Sequence, residues 1–443
     1  MAATPIDPID IEIQRAVPRN FTVGILDGGF FFLGMSFASV VTIMPLFVSQ
    51  LTDNPYLIGL IPAIPTMGWL IPQLLTAQHV ERLARKKPYV MTLTLNERWP
   101  FLAMAILALF AQSIAASMAL VLFFLLHTLR CFSAGFTATA WQDMVGKVIP
   151  GRRLGAFFGL QQGFGGLLGA GGAIVAGLLI DRVPYSQNFA TSFLIAFIMV
   201  MVSYVFLGLT REPSRAPASS RPRGREFWSS LPAIVRNNRP YRNFLLYRVM
   251  YLFGGMGVAF FTVHIVNDLG LSAAQAGEMT FVMMLAQTIT YPTAGWLGDR
   301  FGHRRVMEIA ALTGVAMALL AWRAPSAIWF FGVYALFGVS SAAAIVSNLS
   351  GVFDFCTVEE RPTYIGLTAS LVGIPSILAP IVGASIVAAS GSYDLLFAIT
   401  AGCCAVAFVI VHWGVHDLKR GPIDFSAINQ PGVIDDGETP TMI

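Results

Sequence analysis

Gly295-Trp296-Leu297-Gly298-Asp299-Arg300-Phe301-Gly302-His303-Arg304-Arg305 is the stretch on which the reading of this chain turns. It separates two long apolar runs. An acid, Asp299, closes the first run, and Arg300, Arg304 and Arg305 open the second. Gly295 and Gly302 permit close backbone approach and a tight turn. Asp299, at a helix end, is suited to accept hydrogen bonds from the positive N-terminus of a neighbouring helix. A degenerate copy lies in the first half, at Ala77-Gln78-His79-Val80-Glu81-Arg82-Leu83-Ala84-Arg85-Lys86-Lys87. There Glu81, Arg82 and a three-residue basic cluster precede their counterparts by 218 residues. Gly34-Met35 likewise falls on Gly255-Met256 at an offset of 221.

The runs around these loops set the class. Of the 443 residues, 56% are hydrophobic and 12% charged, whereas soluble domains carry about 25% charged residues. A span needs about 20 mostly apolar residues, and lipid forces each span to be helical. Twelve spans are predicted, at 21–48, 56–78, 89–112, 117–142, 154–181, 189–210, 243–267, 273–297, 304–322, 326–349, 362–389 and 392–414. The predicted fold is therefore an all-α polytopic membrane protein with two pseudo-symmetric six-helix bundles, 21–210 and 243–414. Residues 1–20 are a polar N-terminal segment without the apolar core of a cleavable signal peptide. Residues 211–242 read as a basic linker carrying eight arginines, and residues 415–443 as an acidic tail.

The loop charges orient the chain. With the N-terminus cytoplasmic, 23 of the 28 Lys and Arg residues fall on the cytoplasmic side and two, Arg182 and Arg323, outside. Basic loops stay inside, so both termini are expected in the cytoplasm. A bacterial inner (plasma) membrane is the expected location. The basic linker reads as a topology determinant and a contact for anionic membrane lipid rather than for nucleic acid.

Residues 295–305 resemble the loop signature of the major facilitator superfamily, G-x-L-x-D-R-x-G-x-R-R, at every signature position. With the twelve spans and the first-half copy, the resemblance covers residues 21–414. It implies transport by alternating access, with one bundle rocking against the other around a central cavity lined by the first, fourth, seventh and tenth spans. It also implies a conformational latch made of Gly295, Asp299, Arg300, Gly302, Arg304, Arg305, Glu81 and Arg82. In that latch Asp299 meets the start of the fifth span near Arg152, Arg153 and Gly155, and Glu81 meets the start of the eleventh near Arg361 and Thr363. Arg130 followed by Gly135 is similar to the family's fourth-helix signature, at a spacing of five residues where the family has four. Gly155, Gly159 and Gly163 recur every four residues, a spacing that lets helices approach closely in lipid. The resemblance also implies a monomer.

Charges inside spans are costly and mark cavities or partners. Asp27 and Arg248 stand 221 residues apart, the offset that aligns the two halves. Asp27 is expected to be the protonation site, paired with Arg248 or Arg130 and acting as a gate between the halves. Glu97 and Arg98 are adjacent and point about 100° apart on a helix; a structural role is expected of them. Tyr251, His264, Gln287, Tyr291, Tyr334, Asn348 and Gln161 are candidate substrate contacts.

The chain carries no Walker-type phosphate loop and no HExxH motif, so neither direct ATP use nor hydrolase chemistry is indicated. Cys131, Cys356, Cys403 and Cys404 lack metal-ligand spacing with histidine, so no disulfide framework, metal or cofactor is expected. The expected function is secondary active transport of a small-molecule substrate, coupled to protons, and not an enzymatic activity. A facilitative uniporter, a sensor and a lipid-handling protein on the same scaffold stay open. So do an anionic, zwitterionic or neutral cargo, and the direction of transport.

Overall fold

The computed structural model describes residues 8–52, 54–214, 225–258, 260–261, 273–324, 326 and 328–415. Among these residues every regular element is helical, and 14 are α-helices. In chain order they are α1 (Pro8–Phe37), α2 (Ile43–Ser49), α3 (Pro55–Glu81), α4 (Lys87–Leu109), α5 (Ala116–Val148), α6 (Leu154–Arg182) and α7 (Gln187–Gly208). Then follow α8 (Arg225–Asn237), α9 (Arg239–Phe253), α10 (Ala273–Phe301), α11 (His303–Arg323), α12 (Trp329–Gly351), α13 (Arg361–Ser390) and α14 (Tyr393–Gly414).

Nine of the described helices are long and apolar enough to cross a membrane. Their outer faces agree: Ile174 on α6 is 68% exposed and Ile374 on α13 is 66% exposed, surfaces that lipid solvates and water does not. The chain is an integral multi-pass membrane protein. Helices α4, α9 and α10 fall outside the nine. In α4 the apolar run is interrupted by Asn96, Glu97 and Arg98.

Three boundaries depart from expectation. Helix α1 begins at Pro8, inside the segment read as a polar lead. The predicted span 21–48 is broken after Phe37. There the Ser39 hydroxyl accepts the backbone N–H groups of Val41 and Thr42, a local turn that competes with helix. The predicted linker contains α8, whose Phe227 and Leu231 are buried; part of that linker, with the tail from 416, lies outside the described residues.

Helix α1 packs on α6 and α7, α3 on α5, and α4 on α5 and α7. After residue 238, α9 packs on α13 and α14, α10 on α12, and α11 on α12 and α14. Two major contacts join the sets: α6 runs along α10, and α3 along α13. Small residues make both possible. A Cβ on Gly159 would land on the Tyr291 carbonyl oxygen, and one on Gly366 would press the backbone of Gln73 and Leu74.

The apolar core is distributed unevenly. At the end bearing the 299–305 loop, one cluster joins Val148, Phe157 and Phe158 to Tyr241, Phe244, Phe353 and Tyr364. Away from it the cores separate. One holds Phe47, Phe101, Phe123 and Phe193, and another Phe261, Phe330, Tyr334 and Phe397.

Overpacking a tight crossing costs about 1–3 kcal/mol, so Gly159→Val is expected to lower the Tm of the detergent-solubilised protein by several degrees. Gly171, whose Cβ position has open space around it, serves as the control, and Gly171→Ala should leave Tm unchanged. Equal Tm values for the two variants would show that the α6–α10 crossing is not close.

Candidate functional site

The junction between α6 and α10 is built from chain ends. Gly302, at φ 93°, makes the turn from α10 into α11, a backbone conformation that favours glycine. Asp299 lies three residues earlier, two residues beyond the predicted span 273–297. A 3-10 turn, Gly151–Arg153, leads into α6 and leaves its first backbone N–H groups without intrahelical partners. The N–H of Gly155 donates to one Asp299 carboxylate oxygen at 2.8 Å, and that of Ala156 to the other at 2.7 Å. Gly155 and Gly295 stand back to back, so a side chain on either would strike the other's backbone. Burial pushes the Asp299 carboxyl up from the usual carboxylate range to about 6; the two N–H groups and His303 oppose that rise, and Asp354 adds to it.

The first-half copy makes the matching contact. The Thr363 hydroxyl at the start of α13 donates to the Glu81 carboxylate at the end of α3. Arg361 donates to the Gly146 carbonyl at 2.7 Å. The basic residues of the loops lie around these contacts. Arg300 lies over the Trp296 and Phe301 rings, Arg305 over Phe301, Arg304 bonds Glu308 at 3.0 Å, and Arg82 is exposed.

A cavity of about 290 Å³ opens among α1, α3, α4, α5, α6 and α7, and its lining reaches Leu349 of α12. Asp27, Glu97, Arg98, Trp69, Trp141 and Gln161 line it. Asp27 is buried and accepts the Ser203 hydroxyl at 2.6 Å. Ser203 in turn accepts Arg98 Nη2 at 3.3 Å. Arg98 also donates to the Val200 and Thr94 carbonyls at 3.0 and 2.9 Å, and its Nη1 lies 3.6 Å from the Glu97 carboxylate. Glu97 is also within electrostatic range of Arg130. Arg130 donates to His127 Nδ1 at 3.4 Å and lies over Phe101. His127 Nε2 lies 3.0 Å from the Ile61 carbonyl; the network therefore assigns the ring proton to Nε2 and leaves Nδ1 to accept.

A second cavity, of about 390 Å³, lies among α9, α11, α12, α13 and α14. Arg248, Tyr251, Ser340 and Asn348 supply its polar wall. Tyr251 and Ser340 share a hydroxyl hydrogen bond of 2.9 Å. The Asn348 side-chain oxygen is buried without a hydrogen-bond partner among the described residues. Arg248 lies over the Phe244 ring, and no described carboxylate lies within ion-pair distance of it.

Neither expected partner meets Asp27 in this conformation: Arg248 lines the other cavity, and Arg130 bonds His127. Asp27 is served by Arg98 through Ser203, because the arginine stem on α4 is long enough to reach the α1–α7 contact. Glu97 and Arg98 line the Asp27 cavity and contact each other despite their angular offset. Adjacent opposite charges in an apolar run were the signal for them; Ser203 had none. Among the candidate contacts, Gln161 lines the Asp27 cavity and donates to the Gly24 carbonyl at 2.8 Å. Asn348 and Tyr251 line the second cavity. Gln287 donates to Ser341 on that cavity's wall at 2.9 Å. Tyr291 lies at the α6–α10 crossing, and Tyr334 is buried against Phe261 in the apolar core. His264 lies outside the described residues.

Comparison with known proteins places this geometry. Residues 244–431 match the sequence model of the Major Facilitator Superfamily. The multidrug transporter AQR1 of Candida glabrata is 32% identical over 141 residues, which are 31% of this chain and 23% of that protein. Multidrug resistance protein 1 of Bacillus subtilis is 25% identical over 180 residues, 40% of this chain and 46% of the relative. The chain therefore spans less than half the length of these two curated relatives. The E. coli fucose:proton symporter FucP superposes with a TM-score of 0.71 at 19% identity, covering 90% of this chain and 100% of that one. That likeness shows the fold.

The Asp299 carboxyl holds a proton more tightly in the junction than in water. Acid therefore favours the formed junction; the added stability is complete below about pH 4 and lost as pH rises through about 6. Amide exchange at Gly155 and Ala156, corrected for intrinsic rate, should show more protection at pH 5 than at pH 7.5. Asp299→Asn should remove that difference and lower protection at one of the two amides, because an amide has one oxygen to accept where the carboxyl offers two. Protection indifferent to pH and to the substitution would place no weight on the contact.

Proposed function

We infer that this chain, a member of the major facilitator superfamily by its sequence match over residues 244–431 and by its fold, is a secondary active transporter. It moves a small solute by alternating access and couples that movement to protons. The observation that carries this reading is the junction of Asp299 with the start of α6, at the end where the two halves share one core. Away from it the cores separate and two cavities lie between helices. In this reading the twelve predicted spans form two six-helix bundles, 21–210 and 243–414, joined by the linker 211–242 and followed by the tail 415–443. The loop charges put the junction, and both termini, in the cytoplasm. The conformation is then outward-open, and Asp299 and Glu81 are its latches. Each gives a carboxylate to the start of a helix from the opposite half.

Proton coupling rests on Asp27. It is a buried acid tied through Ser203 to Arg98, with Glu97 and Arg130 beside it. Gain and loss of one proton changes the charge balance of that cluster, and with it the packing of α1 against α4 and α7. The E. coli neighbour is a proton symporter and two relatives are multidrug proteins; both lend support to coupled transport of a small organic solute. A facilitative uniporter is the second reading, favoured if the Asp27 cluster is a static tie.

Solute-dependent proton flux in liposomes discriminates the two. With wild-type protein, some member of a panel of sugars, organic anions and lipophilic cations should drive proton movement. Asp27→Asn should abolish the flux while leaving counterflow of the same solute intact. Solute movement equal in both proteins, without proton flux, would make the chain a uniporter.

A further inference from the structure

The two cavities differ in charge. In the first, the lining acids Asp27 and Glu97 lie beside Arg98, with Arg130 within electrostatic range of Glu97. In the second, Arg248 is the only charged side chain among the lining residues, and no described carboxylate pairs with it. A cation left in a low-dielectric interior without a counter-charge is costly, and a structure retains one where an anion arrives to neutralise it. A planar guanidinium is suited to bidentate contact with a carboxylate or sulfonate.

The rest of the wall fits one anionic group on an apolar body. Met256, Met317 and Phe337 line the cavity, adaptable and aromatic surfaces for a hydrocarbon portion. Tyr251 and Ser340 set hydroxyls at its edge. The Asn348 side-chain oxygen, buried without a described hydrogen-bond partner, also borders this space. At about 390 Å³ the space matches a small-molecule site. Asn348 lines this cavity and the next residue, Leu349, lines the one that holds Asp27. The two cavities thus border consecutive residues of α12.

We propose that Arg248 is the recognition residue for the transported solute, and that the solute is an organic monoanion with an apolar body. This deepens the transport reading and rests on it only in calling the ligand cargo; binding is tested without transport. The test is calorimetric titration of purified protein with naphthalene-2-carboxylate and, separately, with its neutral counterpart naphthalene-2-carboxamide. Wild type should bind the carboxylate at least about tenfold more tightly than the amide, the scale of a charge-assisted bidentate contact. Arg248→Gln should bring the two affinities together, and Arg248→Lys, which keeps the charge but not the fork, should retain part of the preference. The Tm of each variant checks that it is folded. Equal affinities for the two probes in wild type, including no binding of either, overturn the proposal, as does an undiminished preference in Arg248→Gln. Asp27→Asn, run beside them, should keep the carboxylate preference. A failure of proton coupling would then leave anion recognition standing, and a failure of anion recognition would leave coupling standing.

Discussion

A helix that starts inside a protein leaves its first N–H groups in need of acceptors, and in this chain the acceptor comes from the other half. Gly155 and Ala156 at the start of α6 give their N–H groups to Asp299 at the end of α10. The contact requires two backbones to touch. That is why Gly155 and Gly295 face each other, and why Gly159 lies against the Tyr291 carbonyl. It also requires the chain to reverse just after Asp299, which Gly302 does at a positive φ. Around this point the aromatic cluster of Phe157, Phe158, Tyr241, Phe244 and Tyr364 seals one end of the molecule. The bond is polar and its carboxyl is titratable, so its strength changes with pH.

A titratable contact has a counterpart deeper in the fold. Asp27 reaches Arg98 through one serine hydroxyl, and Arg98 touches carbonyls on its own helix and on α7. A change of charge at Asp27 is thereby transmitted to backbone positions on two helices. Arg248, without a described carboxylate partner, gives the other half of the molecule a standing positive charge. The two cavities differ in electrostatics as they differ in sequence.

The scaffold was legible because lipid imposes simple rules. Apolar runs of the right length read as helices, and the glycine spacing of α6 marks a close crossing. The place of Asp299 beside α6 was implied by the family resemblance of residues 295–305, the residues themselves giving only an acid at a helix end suited to accept N–H groups. What escaped depends on local hydrogen bonding and side-chain reach. Ser39 breaks the first apolar run at 38–42 by capturing two N–H groups, which hydropathy does not register. Helix α8 is amphipathic within a stretch read as linker, its Phe227 and Leu231 finding the shared core. The offset of 221 aligned Asp27 with Arg248 along their helices but was silent about rotation and partners, so the acid's tie to Ser203 and Arg98 was missed.

The central claim is that the Asp299 contact holds one end closed and, through the rigid halves, the other end open. The most direct measurement is the distance between spin labels at Val41 and Ile328, exposed positions flanking α2 and α12 away from the junction, in wild type and in Asp299→Asn. The expected result is a long distance dominant in the wild type and a shorter one gaining population in the variant. An identical distribution in the two proteins would contradict the coupling of the ends through Asp299.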